Sequence, residues 1–207
     1  MKAREYYKKE YEDSYTNVII KGGKPENKNI NNELELNEYI FYTFDGLNIG
    51  KVKALKEEPL ILERKFFRFC DFNNCNVQNI IFRKCCFLGC EFSRSKLFYV
   101  NFEDCLFVHP VIEKGGVADD DAYYAPTVFE NCKVMGEFIN CTLDYVVFER
   151  DSIFLSKFKN TSFENTFTEK CSIVSVEMSD CNLKDSTMNH MDMFEVKFTD
   201  EKLTSVN

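Results

Sequence analysis

The chain has 207 residues, 44% of them hydrophobic, and 26 Lys and Arg against 34 Asp and Glu give a net charge of −8. This length holds one large or two small domains, and the acidic balance argues against nonspecific nucleic-acid binding through a basic surface. No apolar run approaches the roughly 18 residues of a membrane-spanning helix, and the charged start MKAREYYKKEYED lacks the apolar stretch of a secretory signal, so a cytoplasmic location with reduced thiols is expected.

Residues 1–58 form an N-terminal extension and cap. MKAREYYKKEYEDSY predicts a short helix with Tyr7, Tyr11 and Tyr15 on one face. KGGKPENKNINN is a polar, turn-rich linker. EYIFYTFDGLNIGKVKAL is apolar enough for one or two strands, expected to cover the open end of the region that begins near Leu62.

From Leu62 a period of five takes over. Phe67, Phe72, Val77, Phe82, Phe87, Phe92, Leu97, Phe102 and Phe107 fall five apart, and the residues two before these centres, from Cys70 to Cys105, are small or apolar. HPVIEKGGVADDDAYYAP, residues 109–126, then interrupts the series, with about 17 residues inserted between Phe107 and Phe129. Phe129 and Val134 resume it. A one-residue slip separates Val134 from Phe138, and a second register runs from Phe138 to Leu203 with only Thr168 departing from a large apolar centre.

A short repeat buries its apolar face only by stacking on its neighbours. With five residues per side, the centre and the residue two before it point inward, and the other three face water. FCDFNNCNVQN and KCCFLGCEF carry this pattern well, and it resembles that of the pentapeptide-repeat family. The resemblance implies an all-β fold: a right-handed, four-sided β-helix over residues 59–207, interrupted at 109–126. At the four repeats per coil that it implies, the 26 centres make about six and a half coils, a rod roughly 30 Å long at strand spacing.

Nine of the ten cysteines occupy the position two before a centre, Cys86 being the exception. They are read as free, buried, small residues. No CxxC pair occurs and there are two histidines, which argues against zinc. No cofactor and no metal is expected.

No triad motif or phosphate-binding glycine loop is present, and the chain is read as not an enzyme. Asp151 is odd, since it takes an inward position where a carboxyl needs a partner or a raised pKa. His109 begins the interrupting loop and His190 points outward. The candidate partner-binding residues are Asp119, Asp120, Asp121, Tyr123 and Tyr124 in the loop, and Asp144, Glu149, Glu164 and Glu169 on two neighbouring faces. Charge is uneven: residues 60–107 are net +2, whereas residues 108–207, with 9 basic and 18 acidic side chains, are net −9.

The resemblance extends to Qnr-type members, which imitate the width and charge of B-form DNA and protect DNA gyrase from quinolones. It therefore implies a protein-binding rod, with a DNA-handling enzyme such as gyrase or another topoisomerase as partner and no direct nucleic-acid or membrane binding. A homodimer is compatible with this resemblance. The alternative is a structural or interaction scaffold for another protein partner, such as a phage or secreted bacterial factor. A continuous acidic stripe would favour mimicry and alternating signs a scaffold.

Overall fold

The computed structural model describes residues 29–30, 38–40, 43–44, 46–50, 58–108, 126–201 and 206. The predicted N-terminal helix and loop residues 109–125 lie outside them, as does the polar linker apart from Asn29–Ile30, a short strand that pairs in parallel with Asn48–Ile49. Within the described residues the period of five becomes short parallel strands or single bridges along the sides of a four-sided coil, with Asn76–Arg83, Lys96–Glu103 and Lys133–Ile139 each running over two sides. Each strand pairs with its equivalent about one coil away, as in Phe66–Arg68 on Cys86–Leu88 and Ser172–Val174 on Asp192–Phe194. The protein is an all-β parallel solenoid of about six turns.

Four columns of centres fill the interior. Face 1 stacks Leu62, Phe82, Phe102, Phe138, Phe158 and Met178, ending at Phe198. Face 2 stacks Tyr39, Phe67, Phe87 and Phe107. Face 3 stacks Phe92, Phe129, Phe148, Thr168 and Met188, and face 4 stacks Ile49, Val77, Leu97, Val134, Ile153, Ile173 and Met193. Rings in a column lie nearly parallel at strand spacing: Phe67 and Phe87 are 5.0 Å apart, Phe87 and Phe107 4.8 Å, and Phe72 and Phe92 4.7 Å.

The corners explain why five residues suffice for one side. The second residue after each centre takes a left-handed conformation, with φ near +55° at Asn74, Arg94, Arg150 and Asp180 among 22 such non-glycine residues. Asn and Asp tolerate this region better than most residues, and the corner positions are rich in them. β-Branched residues are absent from that set.

One corner is missing. Lys133–Ile139 skips a residue against Lys96–Glu103, so that Met135 pairs with Phe98 and Gly136 with Val100, leaving Tyr99 unmatched. This is the one-residue slip seen between Val134 and Phe138. Gly136 is required there, because a Cβ would overlap the Val100 carbonyl oxygen.

Residues 38–40, 43–44 and 46–50 adopt the same architecture. Tyr39, Phe44 and Ile49 are themselves five apart, and Tyr39 and Ile49 pair with Phe67 and Val77 one coil further on. Phe44 stacks on Phe72 at 4.6 Å. This part of the expected cap is thus built as rod, in register with the coil it covers. At the other end Met193 and Phe198, inward in register, are 43% and 45% exposed. Substitution of Phe centres by Thr168, Met178 and Met188 leaves a cavity of about 40 Å³ inside the last coils.

Candidate functional site

The residue two before each centre does more than fill space. Its thiol or hydroxyl donates to the carbonyl of the preceding face's centre, one coil below. Cys85 donates to Leu62, Ser95 to Phe72, Cys105 to Phe82, Thr166 to Leu143 and Ser186 to Phe163, over 2.5–3.3 Å. The same atom can accept from the amide directly below, as the Ser95 hydroxyl does from Cys75 N–H at 2.9 Å. A small side chain with both a donor and an acceptor suits this buried place.

Two carboxyls interrupt the ladder. Asp151 is 1% exposed. Its Oδ1 accepts from the Cys132 amide at 2.6 Å, while Oδ2 has no partner. Its neighbour below, Cys132, donates to the Phe92 carbonyl, so by register the acceptor assigned to Asp151 is the Phe129 carbonyl. Only a protonated carboxyl can donate there. Burial, reinforced by Glu130 and Glu149, pushes Asp151 up to about 7. Glu201 repeats the pattern: Oε2 accepts from Cys181 N–H, Oε1 is buried without a partner, and burial raises its pKa. These are the two buried side-chain oxygens without partners among the described residues.

All ten cysteines are free, and nine are buried. Burial pushes the thiols of Cys171 and Cys181 up to about 11. Cys86, the one cysteine off the position two before a centre, is half-buried, and burial raises its pKa as well. Among the described residues no group of three or more His, Cys, Asp or Glu is placed to hold a metal.

The outward acidic residues fall in two adjoining columns, Asp144 beside Glu164 on face 2 and Glu149 beside Glu169 on face 3. They are not bare. Asp144 Oδ1 accepts from Ser162 Oγ and the Glu164 amide. Glu164 pairs with Lys184 at 2.8 Å, Glu169 with Lys170 at 2.8 Å, and Arg150 bridges Glu149 and Glu130. The Lys170 hydrogen bond and charge hold Glu169 below its usual range. On face 1 the outward residues Glu137, Lys157, Glu177 and Lys197 alternate in sign, each paired in register with the next. Asp119, Asp120, Asp121, Tyr123 and Tyr124 lie outside the described residues.

Sequence reasoning missed the outer surface of face 4. The residue after each centre there is apolar for five successive coils: Phe98, Met135, Phe154, Val174 and Phe194. The Phe98 and Phe154 rings meet edge to face at 5.9 Å across Met135. The spacing that signals this column is 37, 19, 20 and 20 residues, which becomes regular only once the insertion and the missing corner are known.

This geometry is that of a pentapeptide-repeat β-helix. No family model and no curated protein matches the chain. Among solved structures, a trypsin-treated QnrB1, a plasmid-mediated fluoroquinolone resistance protein, is similar at 17% identity and TM-score 0.40, over 89% of this chain and 74% of that one. A Parabacteroides merdae protein described only provisionally as a glycosyl hydrolase aligns at 10% identity and TM-score 0.36, over 77% and 79%. The pentapeptide repeat protein Rfr23 from the cyanobacterium Cyanothece 51142 aligns at 9% and 0.21, over 86% and 88%. At these scores the likenesses carry no argument of their own, and the assignment rests on the four-sided geometry.

Proposed function

We propose that the chain is a non-enzymatic, protein-binding rod, a scaffold whose outward columns are read by a protein partner. The observation that carries this reading is the compensation of charge along its sides. Glu137, Lys157, Glu177 and Lys197 alternate, and Arg150, Lys170 and Lys184 sit against the acidic residues of faces 2 and 3. A surface of mixed sign at strand spacing favours a partner of matching pattern over a general cation groove. The test is capture from the native lysate by the wild-type rod and by a Glu137→Ala, Lys157→Ala, Glu177→Ala variant. A partner held by the first and lost by the second supports the scaffold. Identical capture by both defeats it.

The second reading, imitation of DNA toward a type II topoisomerase such as gyrase, is favoured by the net −9 of residues 108–207. Acidic side chains on a stiff rod would then occupy the groove that normally holds phosphates, by competition and without chemistry. Gyrase supercoiling, with and without a quinolone, is titrated with this protein. Inhibition or protection that weakens steeply with salt, and that Asp144, Glu149, Glu164 and Glu169 changed to Lys abolish, supports mimicry. No effect at micromolar protein ends it.

A further inference from the structure

We infer that face 4 is a self-association surface, on which two copies of this chain pack side by side and antiparallel. The column Phe98, Met135, Phe154, Val174 and Phe194 spans five coils, about 19 Å at strand spacing. Phe194 is 64% exposed and Val174 36%, and the neighbouring corners add Tyr99 at 49% and Leu155 at 66%. The corresponding column on face 3 is polar, carrying Ser93, Glu130, Glu149, Glu169 and Asn189. An apolar stripe of this regularity marks an interaction site more often than scattered surface residues do.

The charges beside the stripe select the partner. The residue before each centre on this face is Lys96, Lys133, Ser152, Ser172 and Asp192 in coil order, basic at one end and acidic at the other. Lys96 and Asp192 are exposed and in no ion pair among the described residues. Two faces pressed together by a two-fold axis have two simple arrangements. An axis along the rods keeps them parallel and sets each residue of the stripe on its own symmetry mate, which leaves Lys96 and Asp192 at opposite ends of the interface with no opposite charge to meet. An axis along the strands, through Phe154, reverses one rod. Phe98 then meets Phe194, Met135 meets Val174, Phe154 meets its own symmetry mate, and Lys96 faces Asp192 twice. At the corners Tyr99 faces Glu195. Every residue of the stripe finds an apolar one, and Lys96 and Asp192 each find the opposite charge, as a two-fold interface requires. Face-to-face sheets pack in this aligned manner about 10 Å apart.

The stripe is narrower than the roughly 800 Å² per partner of a standard stable interface, so the dimer is weak and concentration-dependent. This surface is separate from the charged columns of the partner reading, and either stands if the other fails. Sedimentation velocity of the full chain from about 5 to about 500 µM is expected to move from monomer to dimer. Phe154→Lys, which sets two ammonium groups at the axis, returns a monomer throughout, with its folded state checked by thermal melting. Lys96→Asp weakens the dimer by about tenfold or more, and adding Asp192→Lys restores it. A wild-type chain that stays monomeric overturns the inference. So does a dimer that survives Phe154→Lys, because it would then form elsewhere, as by stacking of the open ends. A dimer that the exchanged charges fail to restore overturns the antiparallel arrangement.

Discussion

Asp151 Oδ1 accepts the Cys132 amide hydrogen at 2.6 Å, in the place where Ser95 Oγ accepts from Cys75 two coils below. A hydroxyl in that place also donates to a carbonyl, as Ser95 does to Phe72. Asp151 can do so only with its proton on.

Stability should therefore fall as pH rises. The ordinary value of the group is 3.8 and burial pushes it up to about 7. Below 3.8 both folded and unfolded chains hold the proton and the contribution is whole. Between these values the unfolded chain releases it while the folded chain keeps it, and above about 7 the contribution is gone. Asp151→Asn keeps the acceptor and supplies an uncharged donor. At pH 8 it should be more stable than the wild type by about 1–3 kcal/mol, with little difference at pH 4. Urea melts of both proteins across this range decide it, and an Asn variant less stable at pH 8 would show that the ladder argument fails.

The core columns set a second expectation. Phe87 is fully buried and its ring lies between those of Phe67 and Phe107. Phe87→Ala should cost about 3–5 kcal/mol. Asn73 is outward, yet its side-chain oxygen accepts from the Ser93 amide at 2.7 Å. Asn73→Ala should therefore cost about 1 kcal/mol. The exposed Lys159→Ala should stay within about 0.5 kcal/mol. Equal losses at all three sites in chemical denaturation would mean that the inward register is misassigned.

Gly136 replaces a corner and lies against the Val100 carbonyl. Gly136→Ala forces two strands apart in mid-rod and should cost at least about 1–3 kcal/mol. Gly46 separates the two effects: a Cβ there would meet nothing within 4 Å, but its φ is +71°. Gly46→Ala carries only the conformational penalty, about 1 kcal/mol. If Gly136→Ala melts at the wild-type temperature, the close approach is not real.

Thiol chemistry gives the last test. Ellman titration should count ten thiols in denaturant and none reacting at once in the native state at neutral pH. Cys86, the single cysteine that is not buried, should react first, and faster as pH rises toward its elevated pKa. Several fast thiols, or zinc bound in stoichiometric amount, would contradict the packed arrangement.

By itself the sequence determined the period, the inward and outward positions and, within uninterrupted runs of coils, the stacking partners. A five-residue side leaves room for one large and one small inward residue, and that demand is written at every repeat, in Phe87 and Cys85 as in Leu183 and Cys181. Tertiary structure decided what depends on residues brought together from different coils. The cysteines read as small residues, but their carbonyl acceptors lie one coil below, so the donor role, and with it the anomaly at Asp151, appears only after stacking. The acidic residues fall on neighbouring faces in the sequence, but that Lys184 reaches Glu164 from the next coil appears only in the fold. Tyr39, Phe44 and Ile49 keep the period, yet the thirteen residues from Ile49 to Leu62 hide their place in the rod until pairing sets Ile49 on Val77. The apolar column of face 4 was hidden in the same way. A parallel ladder joins residues twenty apart only where coils are uniform, and an insertion and a lost corner change that offset without changing which side chains meet.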